Sequence, residues 1–65
     1  MTREEAREIL GLSTYDTPVK EALQEFKQAE LKLSEVTLNK SEKHHIKLTI
    51  KAIDTLLRLK DYTND

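Results

Sequence analysis

Apolar residues recur every three or four positions along most of this chain, and no stretch alternates apolar with polar residues. The α-helix has a period of 3.6 residues, whereas a half-buried strand has a period of two. The helical pattern is interrupted between Gly11 and Pro18, which are the single glycine and the single proline, and again at residues 37–40. The sequence therefore predicts an all-α protein in which three helices form one domain over residues 1–65.

The first helix is predicted to begin after Thr2 and to end at Gly11. Thr2 and Glu5 have the spacing of a capping box, in which each side chain accepts a hydrogen bond from the other residue's backbone amide. Glycine readily adopts the left-handed conformation that ends many helices.

The second helix is predicted over residues 18–36, with Thr17 as the N-cap and Pro18 in the first turn, where the missing amide is harmless. Leu31 lies opposite the apolar side, so we expect it to be exposed or to touch a partner. The expected core face covers an arc of about 140° and consists of Val19, Ala22, Leu23, Phe26, Ala29, Leu33 and Val36.

The third helix is predicted over residues 41–62, with Ser41 as the N-cap. Its main apolar stripe consists of Ile46, Ile50, Ile53, Leu56 and Leu57. A second apolar edge consists of Leu48, Ala52 and Leu59, and the two together span about 200° of the helix surface. Either the first helix covers this edge, or the edge is an interaction surface. In the second case Leu31, Leu48, Ala52 and Leu59 are the candidate protein-binding residues.

Positive charge is concentrated late in the chain. Residues 40–60 contain six basic and two acidic residues, although the net charge of the chain is −1. Lys43, Lys47, Lys51 and Arg58 fall on one side of the third helix and form a basic ridge. Such a ridge is either a solvated face or a contact for an anion or a nucleic acid. The second helix is net acidic, so the phosphates of DNA would repel it. It is therefore unsuited to serve as a recognition helix in a DNA groove.

Several chemistries are excluded or disfavoured by composition. The chain lacks cysteine, so it has no disulfide or thiolate–metal site, and one glycine is too few for a phosphate-binding loop. His44 and His45 are adjacent and project about 100° apart on a helix, which is unsuited to a shared metal. We therefore predict no enzyme, no catalytic or metal site, no cofactor and no small-molecule substrate. The charged start and the lack of a long apolar run predict a cytoplasmic protein without membrane contact.

Residues 9–13 (ILGLS) resemble the end of the first helix in the J-domain family, I/V-L-G-V/L-S. A second helix led by threonine and a long third helix follow in the same order as in that family. Phe26, Ala29 and Leu33 fall where the family places its second-helix core. The resemblance implies a J-domain-like three-helix bundle with a short first helix and two long antiparallel helices.

The chain departs from the family at the residues that engage the chaperone. A working J-domain has a His-Pro-Asp tripeptide and a basic second helix, whereas this chain has residues 34–36 (SEV) at that position and an acidic second helix. The resemblance is thus to degenerate J-like proteins, such as the J-like subunit of the mitochondrial import motor, which pairs with a true J-protein.

We accordingly predict a noncatalytic protein-interaction or regulatory module that does not stimulate a chaperone ATPase. Its partner is predicted to be a protein, with a chaperone, a J-protein and a second copy of the chain all open. The alternative is a small DNA- or RNA-binding accessory protein that uses the basic ridge.

Overall fold

A computed structural model describes residues 1–64 and contains three helices: α1 (Arg3–Ile9), α2 (Lys20–Val36) and α3 (Lys40–Leu59). No β-strand occurs among these residues. Helices α1 and α2 both pack on α3, which is therefore the central element. The short connection between α2 and α3 makes these two long helices antiparallel. The prediction of an all-α three-helix bundle is confirmed.

The start and end of α1 follow the sequence prediction. Thr2 and Glu5 form the predicted capping box, with both reciprocal hydrogen bonds at 3.2 Å. Gly11 has a φ of 72°, and its amide donates to the Glu8 carbonyl at 3.1 Å. This left-handed residue turns the chain out of α1 and into the first loop.

Helix α2 starts at Lys20, and the predicted start at Pro18 with Thr17 as the N-cap is wrong. Val19 is the N-cap residue, and its side chain makes no capping hydrogen bond. Instead, the Lys20 amide donates to the Thr63 carbonyl at 2.8 Å, and the Thr63 amide donates to the Pro18 carbonyl at 2.8 Å. The C-terminal segment thus satisfies a backbone donor of the α2 N-terminus that a capping side chain would otherwise satisfy.

Helix α3 also differs from its predicted bounds at both ends. Asn39, rather than Ser41, is the N-cap, and its side-chain oxygen accepts from the amides of Ser41 and Glu42 at 2.8 and 3.2 Å. At the other end Lys60 adopts the left-handed conformation with a φ of 57°, which ends the helix before Tyr62. The turn directs Tyr62 back against the core.

The core lies where α1, the first turns of α2 and the last turns of α3 meet. Its buried residues are Ala6, Leu23, Ala52, Ile53 and Leu56. Of the predicted α3 stripe, Ile46, Ile53 and Leu56 are buried and Ile50 and Leu57 are half-buried, as expected.

The predicted core face of α2 is wrong for most of its length. Leu23 is its one buried member, Val19 is half-buried, and the remaining five residues are exposed. The side of α2 that is turned toward α3 carries Lys20, Leu23, Lys27, Glu30 and Ser34, all buried or half-buried. This side is rotated by about 90° from the centre of the apolar arc. Helix α1 has seven residues and a length of about 10 Å, so it covers only one end of the longer α2–α3 pair.

Candidate functional site

An exposed apolar surface lies along α2. We define the apolar stripe as Ala22, Phe26, Ala29, Leu33 and Val36, all of which are exposed. The exposed fraction is 40% for Phe26, 48% for Leu33 and 74% for Val36. Leu38, in the loop that follows, is almost fully exposed. The stripe therefore presents one aromatic and several aliphatic side chains along most of the helix.

The spacing within the stripe is four, three, four and three residues, which is the spacing of the seam in a coiled coil. In heptad notation Phe26 and Leu33 occupy a positions, and Ala22, Ala29 and Val36 occupy d positions. A seam with this period lies in line along a helix and can receive a second helix along its length. The stripe therefore has the spacing of a coiled-coil seam.

A groove between α2 and α3 adjoins the stripe at Leu33. Its lining comes from both helices and the loop between them: Glu30, Leu33, Thr37, Ser41, Glu42, His45 and Ile46. Leu33 and Ile46 make its floor apolar, while Glu30, Glu42 and His45 supply a polar rim. The groove extends the apolar surface from α2 toward α3, at the end of the molecule that α1 does not reach.

Charged side chains border the stripe on both sides. Glu25 and Lys32 lie on the side away from α3, and both are exposed. Glu30 lies on the side toward α3 and is half-buried. None of the three takes part in the ion pairs formed within residues 1–64. These groups are therefore available to a molecule that covers the stripe.

The four residues that the sequence proposed for protein binding are placed differently from one another. Leu31 is 37% exposed and lies on the side of α2 opposite the stripe. Leu59 is exposed and Leu48 is half-buried. Ala52 is fully buried in the core cluster together with Ala6 of α1, so its assignment to a surface is wrong. At Ala52, helix α1 covers the second apolar edge of α3.

The basic ridge is exposed along its whole length. Lys43, Lys47, Lys51 and Arg58 all lie on the outer face of α3, away from the buried residues. The ridge extends for about 22 Å along the helix axis. Asp54 interrupts it, and its carboxylate pairs with Lys27 of α2 at 2.6 Å. The acidic charge within the ridge is therefore paired with α2, and the four cations of the ridge face outward.

The two histidines lie next to each other near the start of α3. His44 and His45 are both exposed, and residues 1–64 contain no group of three His, Cys, Asp or Glu side chains suited to a metal ion. Within the same residues, no helix has the length and apolarity needed to cross a membrane. The pKa of Glu5 is lowered by its hydrogen bonds with Thr2 in the helix cap. This shift belongs to a structural contact.

Sequence reasoning missed a buried polar cluster around Arg7. Its guanidinium donates to the Asp61 carboxylate at 2.8 Å and also to the carbonyl oxygens of Ser13 and Asp16. Arg3 pairs with the same carboxylate at 3.0 Å. The hydrogen bond with Arg3 is the main cause of the lowered pKa of Asp61, followed by the bond with Arg7, while burial acts in the opposite direction. No local signal marks Arg7, because its acidic partner is 54 residues away.

Comparison of the chain with protein families, curated proteins and solved structures gave no match. No similar protein therefore lends a role to the apolar stripe, the groove or the basic ridge. What these surfaces can do follows from their own chemistry, which is apolar association for the first two and anion contact for the third.

Proposed function

We propose that this protein is a noncatalytic protein-interaction module that binds through the apolar stripe of α2. The observation that carries the proposal is the exposure of Phe26, Leu33 and Val36 along one seam of the helix. Monomeric soluble proteins rarely expose a large contiguous apolar patch unless it is an interaction site. In a chain of 65 residues, apolar side chains are too few to be left outside the core without a cost to stability.

Burial of the stripe by a partner would be favourable. Complete burial of a Phe or Leu side chain stabilises by about 1.5–3 kcal/mol, and Phe26 and Leu33 each have roughly half of that still to gain. The polar rim of the adjoining groove can supply hydrogen bonds that orient the partner. This combination of an apolar centre and a polar edge is typical of protein interfaces.

A degenerate J-domain-like architecture is part of the proposal. It is supported by the ILGLS segment that ends α1 and by the order of a short helix followed by two long antiparallel helices. Because the chain has no His-Pro-Asp tripeptide, we expect no stimulation of a chaperone ATPase. The J-domain-like resemblance suggests a chaperone or a J-protein as a partner for the stripe. Single-turnover ATP hydrolysis by a chaperone of the J-protein-dependent class, measured with and without this protein, would reveal any such stimulation.

The experiment that tests the proposed function compares two variants in affinity capture from a nuclease-treated native lysate. Phe26→Glu places a charge in the stripe, while Leu31→Glu makes the same kind of change on the opposite side of the same helix. We expect the wild type and Leu31→Glu to retain a common protein, identified by mass spectrometry, and Phe26→Glu to lose it. Circular dichroism verifies that both variants are folded.

Two results would contradict the proposed function. Equal retention of every protein by the wild type and by Phe26→Glu would show that the stripe is not a binding surface. Loss of the retained protein in Leu31→Glu alone would move the binding site to the far side of α2, as the sequence suggested for Leu31.

A second candidate function is sequence-independent binding of nucleic acid by the basic ridge. The observation that favours it is the exposure of Lys43, Lys47, Lys51 and Arg58 on one face of α3. Four phosphate contacts predict a slope of about −3.6 in a plot of log affinity for duplex DNA against log salt concentration. Titration of labelled DNA at several salt concentrations measures this slope. The absence of DNA binding at low salt would exclude this function. Binding that is unchanged in a double variant carrying Lys47→Glu and Lys51→Glu would exclude the ridge as the contact surface.

A further inference from the structure

We infer that the partner covering the apolar stripe is a second copy of this chain, with the two α2 helices packed antiparallel about a two-fold axis. The inference rests on the proposed function, since it names the occupant of the same surface. It is carried by two features of α2: the sizes of the residues along the stripe and the charges beside it.

The sizes of the stripe residues are self-complementary in the antiparallel arrangement. When the axis passes between Lys27 and Gln28, Phe26 of one copy lies opposite Ala29 of the other, and Ala22 lies opposite Leu33. Each large side chain thereby meets a small one, as close packing between two helices requires. By symmetry every such layer occurs twice, because a two-fold interface uses the same patch on both subunits. Val36 of one copy lies opposite Val19 of the other and closes the seam at each end.

The charges beside the stripe select the antiparallel orientation over the parallel one. Glu25 and Lys32 occupy g positions, which face each other across an antiparallel pair of helices. Glu25 of each copy then meets Lys32 of the other, which gives two attractive contacts per dimer. In a parallel pair, g positions face the e positions of the partner, and Glu25 would meet Glu30 of the other copy. Like charges at that contact disfavour the parallel dimer.

The surroundings of the stripe leave room for the second helix. Glu25 and Lys32 lie on the side of α2 away from α3, and both are exposed. On the other side the groove lined by Leu33, Thr37 and Ile46 accepts side chains of the incoming helix. Because α2 has only 17 residues, the interface is small, and we expect a dissociation constant in the micromolar range.

Sedimentation equilibrium of the purified protein from about 1 μM to 1 mM tests the dimer. We expect the wild type to pass from monomer to dimer within this range. Phe26→Glu is expected to remain monomeric, and the matched control Leu31→Glu is expected to dimerise as the wild type does. A wild-type protein that is monomeric throughout the range would overturn the inference, as would dimerisation that survives Phe26→Glu.

Charge reversal tests the orientation. Glu25→Lys and Lys32→Glu each convert two attractive contacts into two repulsive ones, so each is expected to weaken the dimer by about tenfold. The double variant restores the opposite charges and is expected to return to near the wild-type dissociation constant. In the parallel arrangement Glu25→Lys would face Glu30 and strengthen the dimer, and that result would overturn the antiparallel arrangement.

The two proposals fail in distinguishable ways. A monomeric wild type that nevertheless captures another protein through Phe26 overturns the second copy as occupant and leaves the proposed function standing. A monomeric wild type that captures nothing through Phe26 overturns both. Because Phe26 lies outside the buried core cluster, we expect Phe26→Glu to remain folded. A helical circular dichroism spectrum of this variant would exclude unfolding as the cause of either loss.

Discussion

Arg7 and Asp61 are joined by a hydrogen bond of 2.8 Å although they are 54 residues apart in the chain. Arg7 also donates to the carbonyl oxygens of Ser13 and Asp16, so one buried guanidinium connects α1, the first loop and the turn after α3. Arg3 contacts the same carboxylate from a more exposed position, at 3.0 Å. The ends of the chain are thus held together by a charged contact at the edge of a small apolar core.

Replacement of Arg7 by alanine is expected to destabilise the protein by about 2–3 kcal/mol, because the largely buried Asp61 carboxylate and two loop carbonyls lose a donor. The free energy of unfolding from urea titration measures the effect. Arg3→Ala removes a partner of the same carboxylate but from an exposed side chain, so its cost should be much smaller. Equal costs for the two variants would contradict a special role for Arg7.

The contribution of Asp61 to stability depends on pH with a defined sign. Its pKa in the folded protein lies below the ordinary value of 3.8, chiefly because Arg3 and then Arg7 donate hydrogen bonds to the ionised form. The stabilisation is therefore fully present above that value and is lost as the pH falls through the lowered folded pKa. Urea titrations of the wild type and Asp61→Asn should show a difference in unfolding free energy that shrinks from neutral pH toward about pH 2. A difference that stays constant over this interval would show that the ionised carboxylate contributes nothing.

The hydrogen bond from the Thr63 amide to the Pro18 carbonyl is expected to hold the C-terminal segment on the start of α2. Thr63→Pro removes this donor, so the Lys20 amide, which is bonded to the Thr63 carbonyl, should exchange with solvent at least several-fold faster. Hydrogen exchange followed by NMR measures the effect at this single amide. Asn64→Pro serves as the control, because the Asn64 amide makes no hydrogen bond within residues 1–64. An unchanged exchange rate of the Lys20 amide in Thr63→Pro would contradict the capping of α2 by the C-terminal segment.

Gly11→Ala is expected to cost about 1 kcal/mol in unfolding free energy. The φ of Gly11 is 72°, a conformation that alanine adopts only with strain, and a Cβ at this position would meet no atom within 4 Å. The cost should therefore come from the backbone and not from a clash. Gly11→Asn should cost less, since asparagine tolerates the left-handed region better than alanine. Thermal unfolding of the three proteins would show this order, and a larger loss for asparagine would contradict it.

The local features of the fold could be predicted from sequence, because the groups that determine them lie a few residues apart. The capping box of Thr2 and Glu5 and the turn at Gly11 each depend on residues within one helical turn. The core stripe of α3 was predictable for the same reason, since its apolar residues repeat with the helical period and α3 packs against both other helices. The helix ends that were predicted wrongly depend on distant or competing groups, such as Thr63 at the start of α2.

The amino-acid sequence by itself determined the number of helices, the apolar face that each helix possesses and the basic ridge of α3. Periodicity shows that a helix has an apolar side, but it does not show which neighbour covers that side. Only the tertiary structure decided that α2 faces α3 with Leu23 and Lys27 and leaves Phe26 and Leu33 exposed. It likewise decided that Ala52 is core and that Arg7 and Asp61 meet. The physical reason is that rotation of a helix about its axis, and the reach of a seven-residue α1, are fixed by packing across the whole molecule and not by neighbours along the chain.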